Sequence, residues 1–367
     1  MNIVIRSPNW IGDCIMCLPA LRALKDNFPD ANIYMAAKQY LCPIYDNIAE
    51  INEMIPLPGN IDFKSIFKAA RQLKPYGFDY GILFTNSFHS AFLFKLAGIG
   101  KLIGYVKDLR GWLLYKKIKF PGNNKHHIYF YLDLVKHFLD LLPQDKKNPS
   151  AGFPKPGNFD KVSLPGTGLI ITGSEGEKVS AILRGLGVDL SGPLVGMSPS
   201  AAYGSAKEWP PERFRELIHR IQQEKSLSNA EILLFGSANE REKISRIADG
   251  ETSTHNLAGQ LKLREAIAAI SLCGLFISND SGLMHIASGF NLPLVALFGP
   301  TQPHKTGPLN KNARLLYHPV ECAPCLHRDC RLKHKNHACM KAITVDEVLE
   351  TIRELKPYKT LKNKGNE

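Results

Sequence analysis

The stretch from residue 275 to residue 301 constrains the fold most strongly. Residues 275–277 form an apolar run without polar alternation, which predicts a buried parallel strand. The polar residues Asn-Asp-Ser-Gly at 279–282 predict a turn that opens a helix carrying His285, and residues 294–298 predict a second buried strand. A strand, turn, helix and strand in this order predict an α/β fold built on a parallel sheet.

The polar turn of this unit follows the carboxyl end of a strand, where open α/β sheets bind their ligands. The helix after it offers free N–H groups and the positive end of its dipole, which favour an anion such as a diphosphate. One interpretation is that Asp280 or Ser281 merely caps the helix. The nearby His285 and the Gly-Pro-Thr turn at 299–301 favour a ligand site that also includes Gly282.

Length and charge bound the class of protein. A chain of 367 residues is long enough for two domains of similar size. With 44% hydrophobic and 22% charged residues, it has the composition of a globular protein, and we expect neither a signal peptide nor a membrane-spanning segment. The net charge of +12 predicts a polyanionic partner: nucleic acid, an anionic membrane face or a phosphorylated substrate.

The first half of the chain repeats the α/β alternation. Residues 2–7 predict a strand that leads through a glycine-containing turn into a helix over 14–27. Asp13 lies at the start of that helix, where an acid is commonly stabilised by the helix dipole. Asn86 and Ser87 follow a predicted strand at the same sheet edge, either as helix caps or as contacts to a substrate. Further strands are predicted at 32–36, 53–57, 80–85, 102–106, 194–197 and 231–235.

A long loop of small residues, 198–211, follows the first strand of the second half. Such a loop suits a phosphate site lined by backbone N–H groups. It contains Ser200 and Lys207; a lone lysine in a loop is either solvated or available as a cation for a phosphate. Glu240 follows the next strand and adds a carboxylate at the same edge.

Proline and glycine at 152–157 predict a hinge, and we place the domain boundaries accordingly. The predicted domains are 1–160, 161–343 with a cysteine-rich segment at 322–339, and a C-terminal helix with a basic tail at 344–367. Residues 101–125 are basic and aromatic; such a run is either a solvated face or a patch for anionic head groups or sugar phosphates.

Four of the eight cysteines fall within the cysteine-rich segment. Their spacing predicts a structural metal site for zinc or another thiolate-binding metal. Reduced loop thiols are the alternative, and disulfides are a third interpretation. The four residues are Cys322, Cys325, Cys330 and Cys339.

Four separate motifs resemble the ADP-heptose:lipopolysaccharide heptosyltransferases of glycosyltransferase family 9. They are PNWIGD at 8–13, AKEWP at 206–210, DSGLMHIA at 280–287 and LFGPTQP at 297–303. The first is most similar to the enzymes that add the second heptose. The resemblance implies the GT-B fold, in which two Rossmann-like domains face a central cleft, with acceptor bound by the first domain and ADP-sugar by the second. It also implies that the last helix packs back on the first domain.

The resemblance further implies an inverting, metal-independent transfer of L-glycero-D-manno-heptose from ADP-heptose to the heptosylated inner core of lipopolysaccharide. Asp13 would be the catalytic base. No cofactor would be required for catalysis, and the partners would be the donor, the lipid A–inner core acceptor and the inner membrane, whose cytoplasmic face the enzyme would contact, with no nucleic acid. The implied acceptor residues are Asn9, Trp10, Asn86 and Ser87, and the implied donor residues are Ser200, Lys207, Glu240, Asp280, Ser281, Gly282 and His285.

Two other functions agree with parts of the sequence. A sugar-nucleotide epimerase of the same fold would share the diphosphate site. A basic nucleic-acid-binding protein with a cysteine-rich metal knuckle would explain the charge and the thiols, but it would not need polar residues at so many strand ends.

Overall fold

The structure, a computed structural model, divides into two compact units, residues 1–170 and 171–367. It describes residues 1–59, 63–122, 124–143, 147–148, 168–332 and 336–355. The hinge predicted at 152–157 and the basic tail lie outside the described residues. Each unit carries its own parallel sheet with its own core.

The sheet of the first unit has the strand order β3-β2-β1-β4-β5-β6, with every neighbouring pair parallel. This is the Rossmann order, and its topological switch point lies between β1 and β4. The strands are β1 (Asn2–Arg6), β2 (Asn32–Lys38), β3 (Glu53–Leu57), β4 (Tyr80–Leu83), β5 (Leu102–Tyr105) and β6 (Lys116–Ile118).

The sheet of the second unit has the order β12-β11-β10-β7-β8-β9, again entirely parallel. Numbered from its own first strand, this is the same Rossmann order, so its switch point lies between β7 and β10. The strands are β7 (Leu194–Ser198), β8 (Glu231–Leu234), β9 (Thr254–Asn256), β10 (Leu275–Asn279), β11 (Leu294–Phe298) and β12 (Ala313–Tyr317).

Helices connect the strands and bury the apolar faces of both sheets. In the first unit they are α1 (Ile11–Met16), α2 (Leu18–Asn27), α3 (Phe63–Leu73), α4 (Phe88–Leu96) and α5 (Ile128–Leu139). In the second unit they are α6 (Gly173–Gly185), α7 (Pro211–Gln223), α8 (Arg241–Ala248), α9 (Leu263–Leu272), α10 (Gly282–Gly289), α11 (Pro303–Thr306), α12 (Ala338–Lys341) and α13 (Val345–Glu354).

The C-terminal helix differs from its expected position. Its apolar residues recur at helical spacing, so Val348, Leu349 and Ile352 share one face. That face is buried in the core of the second unit, together with residues of α7 and β11. The family resemblance implies that this helix packs back on the first domain; its apolar stripe is instead buried in the core of the second unit.

Candidate functional site

The switch point of the first unit brings Asp13 next to a tyrosine that is distant in sequence. Asp13 lies in the first turn of α1, directly after the loop that follows β1. Its Oδ1 accepts a hydrogen bond of 2.9 Å from the Tyr131 hydroxyl on α5. His127, at the start of the same helix, places Nδ1 3.6 Å from the same oxygen. The Asp13 side chain is 23% exposed, so this carboxylate is held from one side and still reaches solvent.

The electrostatics of this pair assign the proton to the tyrosine. Burial first, and then the negative charge of Asp13, raise the pKa of Tyr131 well above its usual range. The phenol therefore remains protonated near neutral pH and donates to a carboxylate. An ionised carboxylate oriented in this way can accept a proton from a nearby hydroxyl.

Two buried arginines fix the loops that carry the expected acceptor residues. Arg110 is fully buried and donates to the carbonyls of Tyr105 at 3.0 Å and Thr85 at 2.6 Å, and to Asn86 Oδ1 at 3.3 Å. Burial lowers its pKa to about 10, which leaves it charged at neutral pH. The basic run at 101–125 is therefore not exposed throughout: Arg110 is an interior support of the loop after β4.

Arg6 does the same for the loop after β1. It is buried, donates to Asn9 Oδ1 at 3.1 Å and to the Ala36 carbonyl at 3.2 Å, and has its pKa lowered by burial to about 10. Asn9 therefore has its amide oxygen in use, whereas Trp10 is 53% exposed. Neither arginine stands out in the sequence, because a basic residue at a strand end or in a loop is usually solvated.

Ser87 has the capping role that was one of its two interpretations. Its hydroxyl accepts a hydrogen bond of 3.4 Å from the Ser90 N–H as the N-cap of α4. Its hydroxyl also lies 2.7 Å from the Ser90 hydroxyl. Such a cap fixes the direction of α4 and therefore the position of Asn86 beside it.

The switch point of the second unit holds an ion pair. Lys207 Nζ, in the loop after β7, lies 2.6 Å from Asp280 Oδ2, in the loop after β10. The Thr301 hydroxyl donates to the same oxygen at 2.8 Å. The two charged side chains are only 13% and 6% exposed, and Lys207 Nζ also lies 4.8 Å from the centroid of the Tyr203 ring.

The start of α10 is arranged as the sequence predicts. Ser281 is its N-cap and accepts from the Met284 N–H at 3.3 Å. Its hydroxyl lies 3.0 Å from that of Ser278 on β10 and 3.4 Å from that of Ser198 on β7. Gly282 opens the helix, and His285 is buried one turn later. The helix start thus faces the strand ends of both β7 and β10.

Ser200 and Glu240 lie at the same sheet edge but differ in their hydrogen bonding. The Ser200 hydroxyl is buried and, among the described residues, has no hydrogen-bond partner. An unsatisfied buried hydroxyl is costly unless a ligand or water completes it. Glu240 accepts from the N–H and the hydroxyl of Ser237, at 2.6 and 2.7 Å, so one carboxylate oxygen serves a helix start.

The described residues give no support for the metal site predicted in the cysteine-rich segment. Among the residues described here, no group of three or more His, Cys, Asp or Glu side chains is positioned to hold a metal ion. Cys322 is exposed, Cys339 is buried, and all eight cysteines are free thiols. Burial raises the pKa of the Cys339 thiol, as expected for a residue packed in the core. No described helix is long and apolar enough to cross a membrane.

Comparison with known proteins decides the family. Residues 66–336 match the model of glycosyltransferase family 9 (heptosyltransferase). The chain belongs to glycosyltransferase family 9. The family and enzyme class expected from the four motifs are therefore confirmed, and the chain is a glycosyltransferase.

Individual members of the family match over almost their full length. The chain is 29% identical to lipopolysaccharide heptosyltransferase 2 of Escherichia coli K12, over 97% of this chain and 98% of that protein. It is 30% identical to lipooligosaccharide heptosyltransferase 2 of Haemophilus ducreyi, over 97% and 99%. The solved structure of E. coli ADP-heptose lipopolysaccharide heptosyltransferase II superposes with a TM-score of 0.77 at 27% identity, covering 97% and 98% of the two chains. The GT-B fold is thereby confirmed, and neither alternative function is favoured.

Proposed function

We propose that this enzyme transfers L-glycero-D-manno-heptose from ADP-heptose to the inner core of lipopolysaccharide that already carries one heptose. The observation that carries the proposal is the pair of polar switch points, with an oriented carboxylate at Asp13 and a cationic, helix-start site around Lys207 and Ser281. The near full-length similarity to proteins named heptosyltransferase 2 supports this donor and acceptor.

In the proposed reaction the acceptor hydroxyl attacks the anomeric carbon of the donor. Asp13 accepts the hydroxyl proton, a new C–O bond forms to the acceptor, and the C–O bond to the diphosphate breaks. ADP leaves with the bonding electron pair. Attack from the face opposite the leaving group inverts the anomeric centre. Tyr131 and His127 contact Asp13 through Oδ1, which orients the carboxylate for this step.

The second unit supplies the donor site in this proposal. Lys207 and the N–H groups at the start of α10, at Ser281 and Gly282, stabilise the developing charge on ADP. The buried hydroxyl of Ser200 completes its hydrogen bonding on the same ligand. Glu240 and Asp280 are the carboxylates for sugar hydroxyls, and His285 supports the helix start from inside.

A metal-independent mechanism follows from this arrangement. The sequence contains no Asp-x-Asp, the acidic motif with which other glycosyltransferases bind a divalent ion and a diphosphate. Lysine and helix-start N–H groups take that role here. Transfer should therefore persist in excess EDTA, and a requirement for added divalent metal would contradict this part of the proposal.

In this proposal the first domain, which the sequence predicts at residues 1–160, supplies the acceptor site. Trp10, which is exposed beside Asp13, offers a face on which a sugar ring can pack. Asn9, Asn86 and Ser87 are held in place by Arg6, Arg110 and the α4 cap. This fixed frame would position the acceptor heptose.

Peripheral contact with the cytoplasmic face of the inner membrane is the remaining part of the proposal. Leu109, Trp112 and Tyr115 are 91%, 70% and 61% exposed on one surface segment that also carries Lys107 and Lys117. Aromatic and aliphatic side chains beside lysines favour an anionic bilayer surface. Replacing Trp112 with alanine should weaken sedimentation with anionic vesicles, whereas replacing the partly buried Tyr34, which lies outside this segment, should not.

The test of the proposed function is product analysis. Purified enzyme is incubated with ADP-heptose and truncated inner-core acceptors that carry no heptose or one heptose, and the products are analysed by mass spectrometry. We expect the mass of one heptose to be added to the acceptor that carries one. Addition only to the heptose-free acceptor would assign the chain to the first transfer step, and release of free sugar without any transfer would refute the function.

A further inference from the structure

The cysteine-rich segment is seated on the loop that carries Lys207. We name residues 199–210 the donor loop and residues 322–332 the cover segment. The Tyr203 hydroxyl donates to the Leu326 carbonyl at 3.0 Å, and the Ala206 N–H donates to the Arg328 carbonyl at 2.9 Å. The Ser205 hydroxyl donates to Asp329 Oδ1 at 2.7 Å. Three residues of the donor loop between 203 and 206 are therefore hydrogen-bonded to one short segment.

A glycine makes this contact close enough to be specific. Gly204 has φ of +152°, a conformation that side chains disfavour. A Cβ at this position would lie 2.3 Å from the Arg328 carbonyl oxygen. The donor loop thus reaches the cover segment only because residue 204 has no side chain, and this contact places Arg328 at the loop.

The charge balance of the donor site leaves room for a second cation. Lys207 is paired with Asp280 at 2.6 Å, and the two charges cancel. A diphosphate brings at least two further negative charges. Lys207 alone therefore balances only part of the ligand charge once Asp280 is counted.

Arg328, on the cover segment, lies near the same aromatic ring as Lys207. Its guanidinium carbon lies 5.4 Å from the centroid of the Tyr203 ring, and Lys207 Nζ lies 4.8 Å from the same centroid. Arg328 is exposed, and among the described residues it forms no ion pair with a carboxylate. A guanidinium can bind two phosphate oxygens at once, which an ammonium group does less well.

We infer that Arg328 is a second diphosphate-binding residue, delivered to the donor site by the cover segment. This inference rests on the proposed function and gives the cysteine-rich segment a role in substrate binding that does not require a metal. Tyr203 holds both cations through its ring, and the Gly204 and Asp329 contacts keep the segment in place.

Calorimetry with ADP and with adenosine tests the inference. Arg328→Ala should raise the Kd for ADP about tenfold, the effect of losing one charge-assisted contact. Arg331→Ala is the matched control, because it removes the same charge from an exposed position on the same segment. It should change the Kd less than twofold, and adenosine, which lacks phosphate, should bind all three proteins equally.

Gly204→Ala provides a second variant that keeps every charge. It should weaken ADP binding by displacing the cover segment, with little effect on adenosine. Equal ADP affinity of the Arg328 and Arg331 variants would overturn the inference, as would an equal loss of ADP and adenosine binding in the Arg328 variant. A wild-type enzyme that binds no ADP would refute the proposed function itself, and the inference with it.

Discussion

The two switch points have the same topology and both contain an aspartate, yet the surroundings of the two carboxylates differ. Asp13 is held by a neutral phenol and lies 3.6 Å from a histidine, with 23% of its side chain exposed. Asp280 is held by a lysine at 2.6 Å and a threonine hydroxyl, with 6% exposed. Among the described residues, the Asp13 carboxylate has no cation bonded to it in the way that Lys207 is bonded to Asp280, whose charge is balanced by that lysine.

This difference teaches that the fold supplies a position and the neighbouring side chain supplies the chemistry. A carboxylate next to a phenol is oriented but not neutralised, so it can still take a proton. A carboxylate paired with lysine in a buried site holds that cation in place, and the pair stabilises the loops that carry it.

The largest effect is expected at Asp13. Asp13→Asn removes the proton acceptor but keeps the size and the Tyr131 contact, so kcat should fall about a hundredfold or more. The Kd for ADP, measured by calorimetry, should not change. Asp30→Asn, which alters an exposed carboxylate of the same unit, should leave both quantities unchanged. Near-normal kcat in the Asp13 variant would end its assignment as the base.

The next largest effect is expected at Lys207. Lys207→Ala removes a cation and also leaves the Asp280 charge unpaired beside the diphosphate, so the Kd for ADP should rise about tenfold to a hundredfold. Adding Asp280→Asn to this variant should recover part of the affinity, because the repulsive charge is removed. Calorimetry of the single and double variants measures this coupling. A double variant no better than the single one would show that the ion pair does not control donor binding.

A smaller effect is expected at Tyr131. Tyr131→Phe keeps the ring and removes one hydrogen bond to Asp13, and kcat should fall about fivefold, in line with the usual net value of such a bond. KM for ADP-heptose should stay the same, since the change lies in the first unit. A loss as large as that of Asp13→Asn would mean that the phenol takes part in the proton transfer itself.

The smallest effect concerns stability and uses a paired carboxylate away from both switch points. Arg264 donates to Glu175 at 2.7 and 2.9 Å, and these bonds lower the pKa of Glu175 to about 2. The ionised Glu175 carboxylate therefore stabilises the folded protein. This stabilisation is complete above the pKa of 4.5 in the unfolded chain and is lost as the pH falls from there toward 2. Glu175→Gln should therefore lower the Tm at pH 7 by about 2–4 °C, equivalent to about 1 kcal/mol for a partly exposed pair.

Thermal unfolding across pH 7 to pH 3 checks this, with Glu177→Gln as the control for the loss of one exposed charge. The difference between wild type and the Glu175 variant should shrink below pH 4.5. A difference that persists unchanged at pH 3 would show that the hydrogen-bonded charge is not its source.

Sequence reasoning located the central strands and the residues that follow them. Strands such as β10 and β11 are buried on both faces, so their apolar runs are unmistakable. It missed β6, β9 and β12, which are all edge strands. β6 is Lys-Lys-Ile and β9 is Thr-His-Asn. An edge strand is partly solvated, so it can carry polar residues, and these interrupt the apolar run by which a buried strand is predicted.

The partners of the site residues were less predictable than the site residues themselves. Asp13 and Tyr131 are 118 positions apart, and the helix of Tyr131 has an ordinary amphipathic pattern. The predicted helix over 14–27 is in fact two helices that meet at Cys17, with a proline at the start of the second. The Asp13–Tyr131 contact depends on which elements the sheet order brings together, and local sequence does not contain that information. The helix break is different, because Pro19 is a local signal for the start of a helix.

The bond between Ser205 and Asp329 spans 124 positions of the chain. During synthesis the strand before the donor loop and the helix after it are made first. The loop cannot form its bond to Asp329 until that residue has left the ribosome. Contacts of such large sequence separation form slowly, because closing the intervening chain costs entropy. If the cover segment completes the ADP site, the affinity for ADP reports whether the second unit has finished folding. A second unit whose sheet has formed but whose cover segment has not docked would bind ADP only weakly.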